Sequence, residues 1–141
     1  MDIPKDLAAF LEGNNQLNYD YSRAEPNKIT LCSLAELKPG VIWLSPEDEN
    51  IDGYYEIPAV NLLSSCVAYE PDFILLWLPN EKVYGTWDCD HWCINIFPNT
   101  SWTDIVENPL PYLNSQWYPD NGVSRAYKPY LKYSLKEGRP F

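Results

Sequence analysis

Basic side chains are scarce in this sequence of 141 residues: 10 Lys and Arg stand against 20 Asp and Glu, a formal charge of −10. Phosphate binding needs clustered Lys and Arg, so the deficit disfavours nucleic acid as a partner, and an anionic membrane surface with it. Histidine occurs once, at His91, and there is no Cys-x-x-Cys pair, so the spacings of familiar zinc elements are missing. Also absent are a Gly-x-Ser-x-Gly elbow, a glycine-rich phosphate loop and a His-Glu-x-x-His pair. The chain therefore reads as non-enzymatic, with no cofactor implied. No apolar run approaches the roughly 18 residues of a membrane span. The opening Met-Asp-Ile-Pro-Lys-Asp lacks the basic region and apolar core of a leader. The expectation is a soluble, cytoplasmic protein.

What the sequence does hold is an apolar centre. Phe73-Ile-Leu-Leu-Trp-Leu78, Val83-Tyr-Gly-Thr-Trp-Asp88 and Trp92-Cys-Ile-Asn-Ile-Phe97 follow one another across short polar turns. They read as a three-strand antiparallel meander, about 73–97. A turn at Asn80-Glu81 pairs Leu78 with Val83, Leu76 with Gly85 and Ile74 with Trp87 on one face. A second turn at Cys89-Asp90 adds Trp92, Ile94 and Ile96 to that face. The opposite face carries Phe73, Leu75, Trp77, Tyr84, Thr86, Cys93, Asn95 and Phe97. An unbroken apolar run marks a strand buried on both faces, so 73–78 belongs at the centre of its sheet, with helices over one side.

Around this centre the elements are short and punctuated by 13 prolines. Pro4 in a first turn, with Leu7, Ala8, Phe10 and Leu11 at helical spacing and Gly13-Asn14 as the stop, predicts a short helix. Strands are expected around Ile29–Cys32 and over Val41–Leu44, and extended chain over Tyr54–Ile57 before Pro58. Ala59–Tyr69 fits a helical stripe, with strand as the alternative. Ser101 three residues before Asp104 caps a helix over 100–107. Residues 111–122 read as an aromatic loop. The whole predicts one α+β domain over 1–141, a central antiparallel sheet with short helices packed on at least one face. At this length a core can bury roughly 70% of the unfolded surface without disulfide or metal.

Charge is unevenly placed. Residues 1–124 hold five basic and 19 acidic side chains, a balance of −14, whereas 125–141 hold five basic and one acidic, a balance of +4. In that tail Arg125, Lys128, Lys132, Lys136 and Arg139 recur at three- and four-residue steps, as in an amphipathic helix or as an extended segment laid on the acidic body. Glu47, Asp48, Glu49 and Asp52 form an acidic loop. It reads either as a solubilising turn or as a contact surface for a basic partner. Asp88 and Asp90 at the hairpin tip, with Trp77 and Tyr84 nearby, complete the candidate partner-binding set. Trp77, Tyr84, Phe97, Trp117 and Tyr118 are the aromatics expected at the surface, which also leaves a carbohydrate-binding reading open.

Cys89, His91 and Cys93 are the weak candidates for a metal site or a thiol nucleophile, with Cys32 or Cys66 available as further ligands. The plainer reading of that cluster is a hairpin tip, with Asp88 and Asp90 supplying turn hydrogen bonds and Cys93 a small hydrophobe. The four cysteines read as free thiols.

Ile3-Pro4, Asp6-Leu7, Phe10-Leu11 and Gly13-Asn14, then Ser33-Leu34 and Glu36-Leu37, then Leu75, Leu78, Val83-Tyr84, Trp87-Asp88, Ser101-Trp102 and Ile105 occur in an order that resembles the SUKH superfamily of bacterial immunity and interaction proteins. The similarity spans roughly residues 3–107. Gly13 stands alone where that family carries a glycine pair, and the 111–118 loop and basic tail have no counterpart. The resemblance implies an α+β fold, no catalysis, and binding of a toxin or another protein. It brings no site residues with it.

Overall fold

The computed structural model describes residues 2–14, 16–20, 26–48, 50–64, 73–88, 91–113, 125–128 and 132–138. The fold is α+β, built on an antiparallel sheet of six strands that pair strictly in chain order. After helix α1 (Lys5–Gly13), strands β1 (Gln16–Asp20) and β2 (Pro26–Thr30) form a separate hairpin. The large sheet then runs β3 (Gly40–Leu44), β4 (Tyr55–Asn61), β5 (Phe73–Leu78), β6 (Val83–Asp88), β7 (Cys93–Phe97) and β8 (Arg125–Ala126). Helices α2 (Trp102–Glu107) and α3 (Leu110–Leu113) lie between β7 and β8. Among the described residues no helix is long and apolar enough to cross a membrane.

The meander has the expected faces. Leu78 pairs with Val83, Leu76 with Gly85 and Ile74 with Trp87, and Trp87 continues to Ile94 and Gly85 to Ile96. Leu75, Trp77, Tyr84 and Phe97 share one core with Leu7 and Leu11 of α1 and Trp102 and Ile105 of α2. Leu76, Leu78, Trp87 and Ile94 share the other with Ile42, Leu44, Tyr55 and Ile57, because the sheet curls and brings β3 and β4 over it. Thr86 ties α3 down by donating to the Tyr112 carbonyl at 2.6 Å. The α2 cap is as expected: the Asp104 amide donates to Ser101 Oγ at 3.1 Å and the Ser101 amide to Asp104 Oδ2 at 2.9 Å.

Three expectations are corrected. The second meander turn is longer: Asp88 pairs with Cys93, so the connection is 89–92 and Trp92 lies in the turn, not the strand. Face parity survives because the shift is even. The strand sought at Ile29–Cys32 ends at Thr30, while Leu31 bridges to Leu63 and the Cys32 amide donates to the Leu62 carbonyl at 2.8 Å. The helix over Ala59–Tyr69 is not formed where the chain is described: Ala59, Val60 and Asn61 end β4, and 65–69 lie outside the described residues. Both faces of β4 are buried there, with Ala59 at 3% and Val60 at 1% exposure, and a two-sided apolar run imitates a helical stripe.

The tail takes the second of its two expected forms. Its described parts are extended: β8 pairs with β7, and Tyr54 and Lys136 exchange amide–carbonyl hydrogen bonds at 2.9 and 2.8 Å. The open edge of β7 satisfies backbone groups that Pro129 would leave unpaired inside a helix. Pro58 sits within β4 at no cost to the sheet centre, because β5 pairs only with Val60 and Asn61 and β3 alone flanks the proline.

Candidate functional site

The acidic loop and the hairpin tip meet at one end of the curled sheet. Asp48 folds the loop on itself, its Oδ1 accepting from the Asn50 amide at 2.9 Å and its carbonyl from the Ile51 amide at 3.0 Å. The loop is then hooked to the hairpin: the Ser45 amide donates to the Trp92 carbonyl at 2.8 Å. Trp92 takes φ +53°, a left-handed conformation rare for a bulky side chain, and its ring lies 6.2 Å from that of Trp43. Trp87 steadies the group from beneath by donating Nε1–H to the Trp43 carbonyl at 2.9 Å.

Two grooves flank Trp92 and share it with Ser45 and Pro46. One, of about 350 Å³, is lined by Asp48, Ile51 and Asp52, and Ile51 is 44% exposed. The other, of about 400 Å³, is lined by Leu44, Glu47, His91, Ile94, Tyr127 and Lys128. Acidic and apolar surface thus alternate across a half-buried tryptophan. A third depression, of about 360 Å³, lies beside Cys32, Glu36 and Val41. Burial, with Glu36 adding to it, pushes the Cys32 thiol pKa up, which keeps it protonated.

Of the sequence candidates, Glu47, Asp48 and Asp52 are exposed and together, while Glu49 and Asp90 lie outside the described residues. Asp88 is not a surface contact. It is 8% exposed and acts within the turn, accepting from the His91 amide at 3.2 Å and lying 2.8 Å from His91 Nδ1. Trp77 and Tyr84 are corrected outright. They are 8% and 1% exposed, their rings tilted against each other with centroids 4.9 Å apart under α1 and α2, because theirs is the face the helices cover. Phe97, at 0%, is buried with them, and Trp117 and Tyr118 lie outside the described residues. The carbohydrate-binding reading loses three of its five aromatics.

Cys89 lies outside the described residues, and among those described no group of three or more His, Cys, Asp or Glu could hold a metal. Cys93 is exposed as a residue, yet partial burial of the thiol and the nearby Asp88 carboxylate push its pKa up. That is opposite to the activation a nucleophile needs. Trp92 is the participant that sequence reasoning passed over, because it was assigned to a strand face; its place beside the one histidine at a hairpin tip was the available signal.

The tail runs from this end of the molecule to the β5–β6 turn and on to β4. Lys128 Nζ lies 2.7 Å from Glu47 Oε1, Lys136 Nζ 3.2 Å from Glu56 Oε2 and Lys132 Nζ 4.0 Å from Glu81 Oε2. Glu81 is the buried member, its side chain 5% exposed, and its Oε2 accepts from the hydroxyls of Tyr133 at 2.8 Å and Tyr127 at 3.2 Å. Burial pushes the pKa of both phenols up, with Glu81 adding to the shift. No family model, curated protein or solved structure matches this chain.

Proposed function

We propose that the protein is a non-catalytic binding module of the cytoplasm whose acidic end takes a basic protein partner. The observation that carries this is the pair of grooves about Trp92, rimmed by Glu47, Asp48 and Asp52. Carboxylates at a rim steer a cationic partner and set its orientation, while Trp92 and Ile51 supply apolar surface of the kind that anchors an interface. The resemblance to the SUKH superfamily suggests the partner's class: a toxin whose working surface is occluded.

The test is capture from the source cell's lysate at low and at high salt. Wild type is run beside a Glu47→Lys, Asp48→Lys, Asp52→Lys variant whose unfolding curve shows it folded. A single basic protein retained by wild type at low salt, released by salt and lost from the variant is the expected result. Equal retention by both would remove the acidic end from the interface, and no specific capture at any salt would sink the reading.

A further inference from the structure

The tail crosses the face of the sheet that the helices leave uncovered. It leaves β7 as β8, where Asn95 pairs with Ala126 and the Tyr127 amide donates to the Ile94 carbonyl at 3.1 Å. It passes the β5–β6 turn, where Tyr133 meets Glu81 and Asn80, and ends beside β4 at Tyr54. Lys128, Lys132 and Lys136, four residues apart, each face a different glutamate: Glu47 of the acidic loop, Glu81 of the turn and Glu56 of β4. Tyr127 and Tyr133 pack on the apolar residues between.

This is how a sheet edge takes an extended ligand: main-chain pairing holds the strand, and pockets read alternate side chains. The grip is divided between permanent and releasable parts. All three lysines are more than half exposed, at 54, 63 and 53%, so the attractions that seat them are screened by salt and open to competition. Glu81 keeps one oxygen, Oε1, buried with no hydrogen-bond partner. A carboxylate buried with half its acceptor capacity unused can take a further donor, and the described tail supplies none.

We propose that this trough is a peptide-binding surface occupied in cis by the chain's own tail. The occupant it takes in trans is an extended segment of a basic protein, with Lys or Arg about every fourth residue and tyrosines between. The inference rests on the binding-module reading and deepens it: the partner reaches Glu47 by displacing Lys128. An arginine in place of Lys132 brings five donors to Glu81 where an ammonium brings three, which favours such a segment over the native tail.

A fluorescent synthetic peptide of residues 125–138 is titrated against the full-length wild type and a full-length Lys128→Glu, Lys136→Glu variant, whose tail is repelled by Glu47 and Glu56. Freeing the trough raises its competent fraction, so the variant is expected to bind at least about tenfold more tightly than wild type. A control peptide with its lysines replaced by glutamate should not bind. A folded variant that binds the peptide no better than wild type overturns the proposal and makes the tail an ordinary strap. Should the variant not fold, hydrogen exchange on wild type decides. The Tyr127 and Lys136 amides are expected to exchange faster at high salt than at low, while those of β5 and β6 hold; uniform behaviour overturns the proposal. Peptide binding without any captured lysate protein would sink the binding-module reading alone. A lysate partner held equally by wild type and variant, with no gain in peptide affinity, would sink the trough alone.

Discussion

Removing one oxygen, in Tyr133→Phe, tests how the tail is held. The hydroxyl donates to Glu81 Oε2 at 2.8 Å and accepts from Asn80 Nδ2 at 3.2 Å. The first bond reaches a carboxylate whose side chain is 5% exposed, so it belongs with hydrogen bonds to charged groups, worth about 1.5–3 kcal/mol. The second is exposed and adds a few tenths at most. A loss of about 2 kcal/mol follows, and with an unfolding entropy of about 2.1 cal/mol/K per residue the melting temperature should fall by about 7 °C. Glu81→Gln alone weakens the same bond, so a double-mutant cycle should show the two effects to be non-additive by about 1–2 kcal/mol. Thermal and urea unfolding followed by tryptophan fluorescence give both numbers. A fall below about 1 °C, or effects that simply add, would refute a buried Glu81 as the anchor of the tail.

Two further outcomes follow from groups elsewhere in the sheet. Gly85→Ala puts a methyl 2.9 Å from the Asn95 carbonyl oxygen and 3.1 Å from Ile94 Cδ1, so β6 and β7 must part; stability should fall by about 1–3 kcal/mol, and an unchanged urea midpoint would contradict the register. Burial raises the pKa of Tyr84, with Asp6 adding to it, and that of Tyr112 likewise, so in the native state these phenols keep protons that the unfolded chain loses above about pH 10. Their contribution is complete below that pH and is lost progressively above it, as pH rises through the raised native-state values. Because the Tyr84 hydroxyl is buried with no partner among the described residues, Tyr84→Phe should stabilise the protein by about 1 kcal/mol at neutral pH and flatten the alkaline loss. Destabilisation would show that the hydroxyl is satisfied in solution.

The sheet was legible because its signal is local. The uninterrupted apolar run in 73–78 and the short turns fix the parity of the meander and the β5–β6 pairing, and the Ser101–Asp104 cap marks α2 with four residues. What failed depends on partners distant in sequence. Trp77 and Tyr84 carry polar atoms that suit a surface, and only the docking of α1 and α2 on their face makes them core. The tail's four-residue charge step fits a helix as well as it fits glutamates on three separate elements, and spacing alone does not distinguish them. Leu17 and Leu31 belong to the same core as α1; the stretch around Leu31 reads as a strand, but the weak alternation around Leu17 gave little sign of its hairpin partner. Trp92 was assigned to the right face and the wrong element, because two residues of turn length decide whether it is paired or displayed.

The two faces of this sheet are sealed by different physics. On the helix side Leu7, Trp102 and Ile105 are 0–1% exposed, and apolar burial there is indifferent to ionic strength. On the tail side the closing residues Tyr127 and Tyr133 are only partly buried, and the lysines that place them are mostly in solvent. Exposed ion pairs contribute little each and weaken with salt, so apart from the Tyr133–Glu81 anchor the tail adds coverage that is readily undone. Regions that open for binding come from the least stable part of a structure. The tail's own balance of +4 sits on side chains that are mostly in solvent, and two of the carboxylates they meet, Glu47 and Glu56, are exposed or partly so. A design aimed only at stability would cover the same face with apolar side chains. Lysines there are what the proposed exchange for a segment of like chemistry requires.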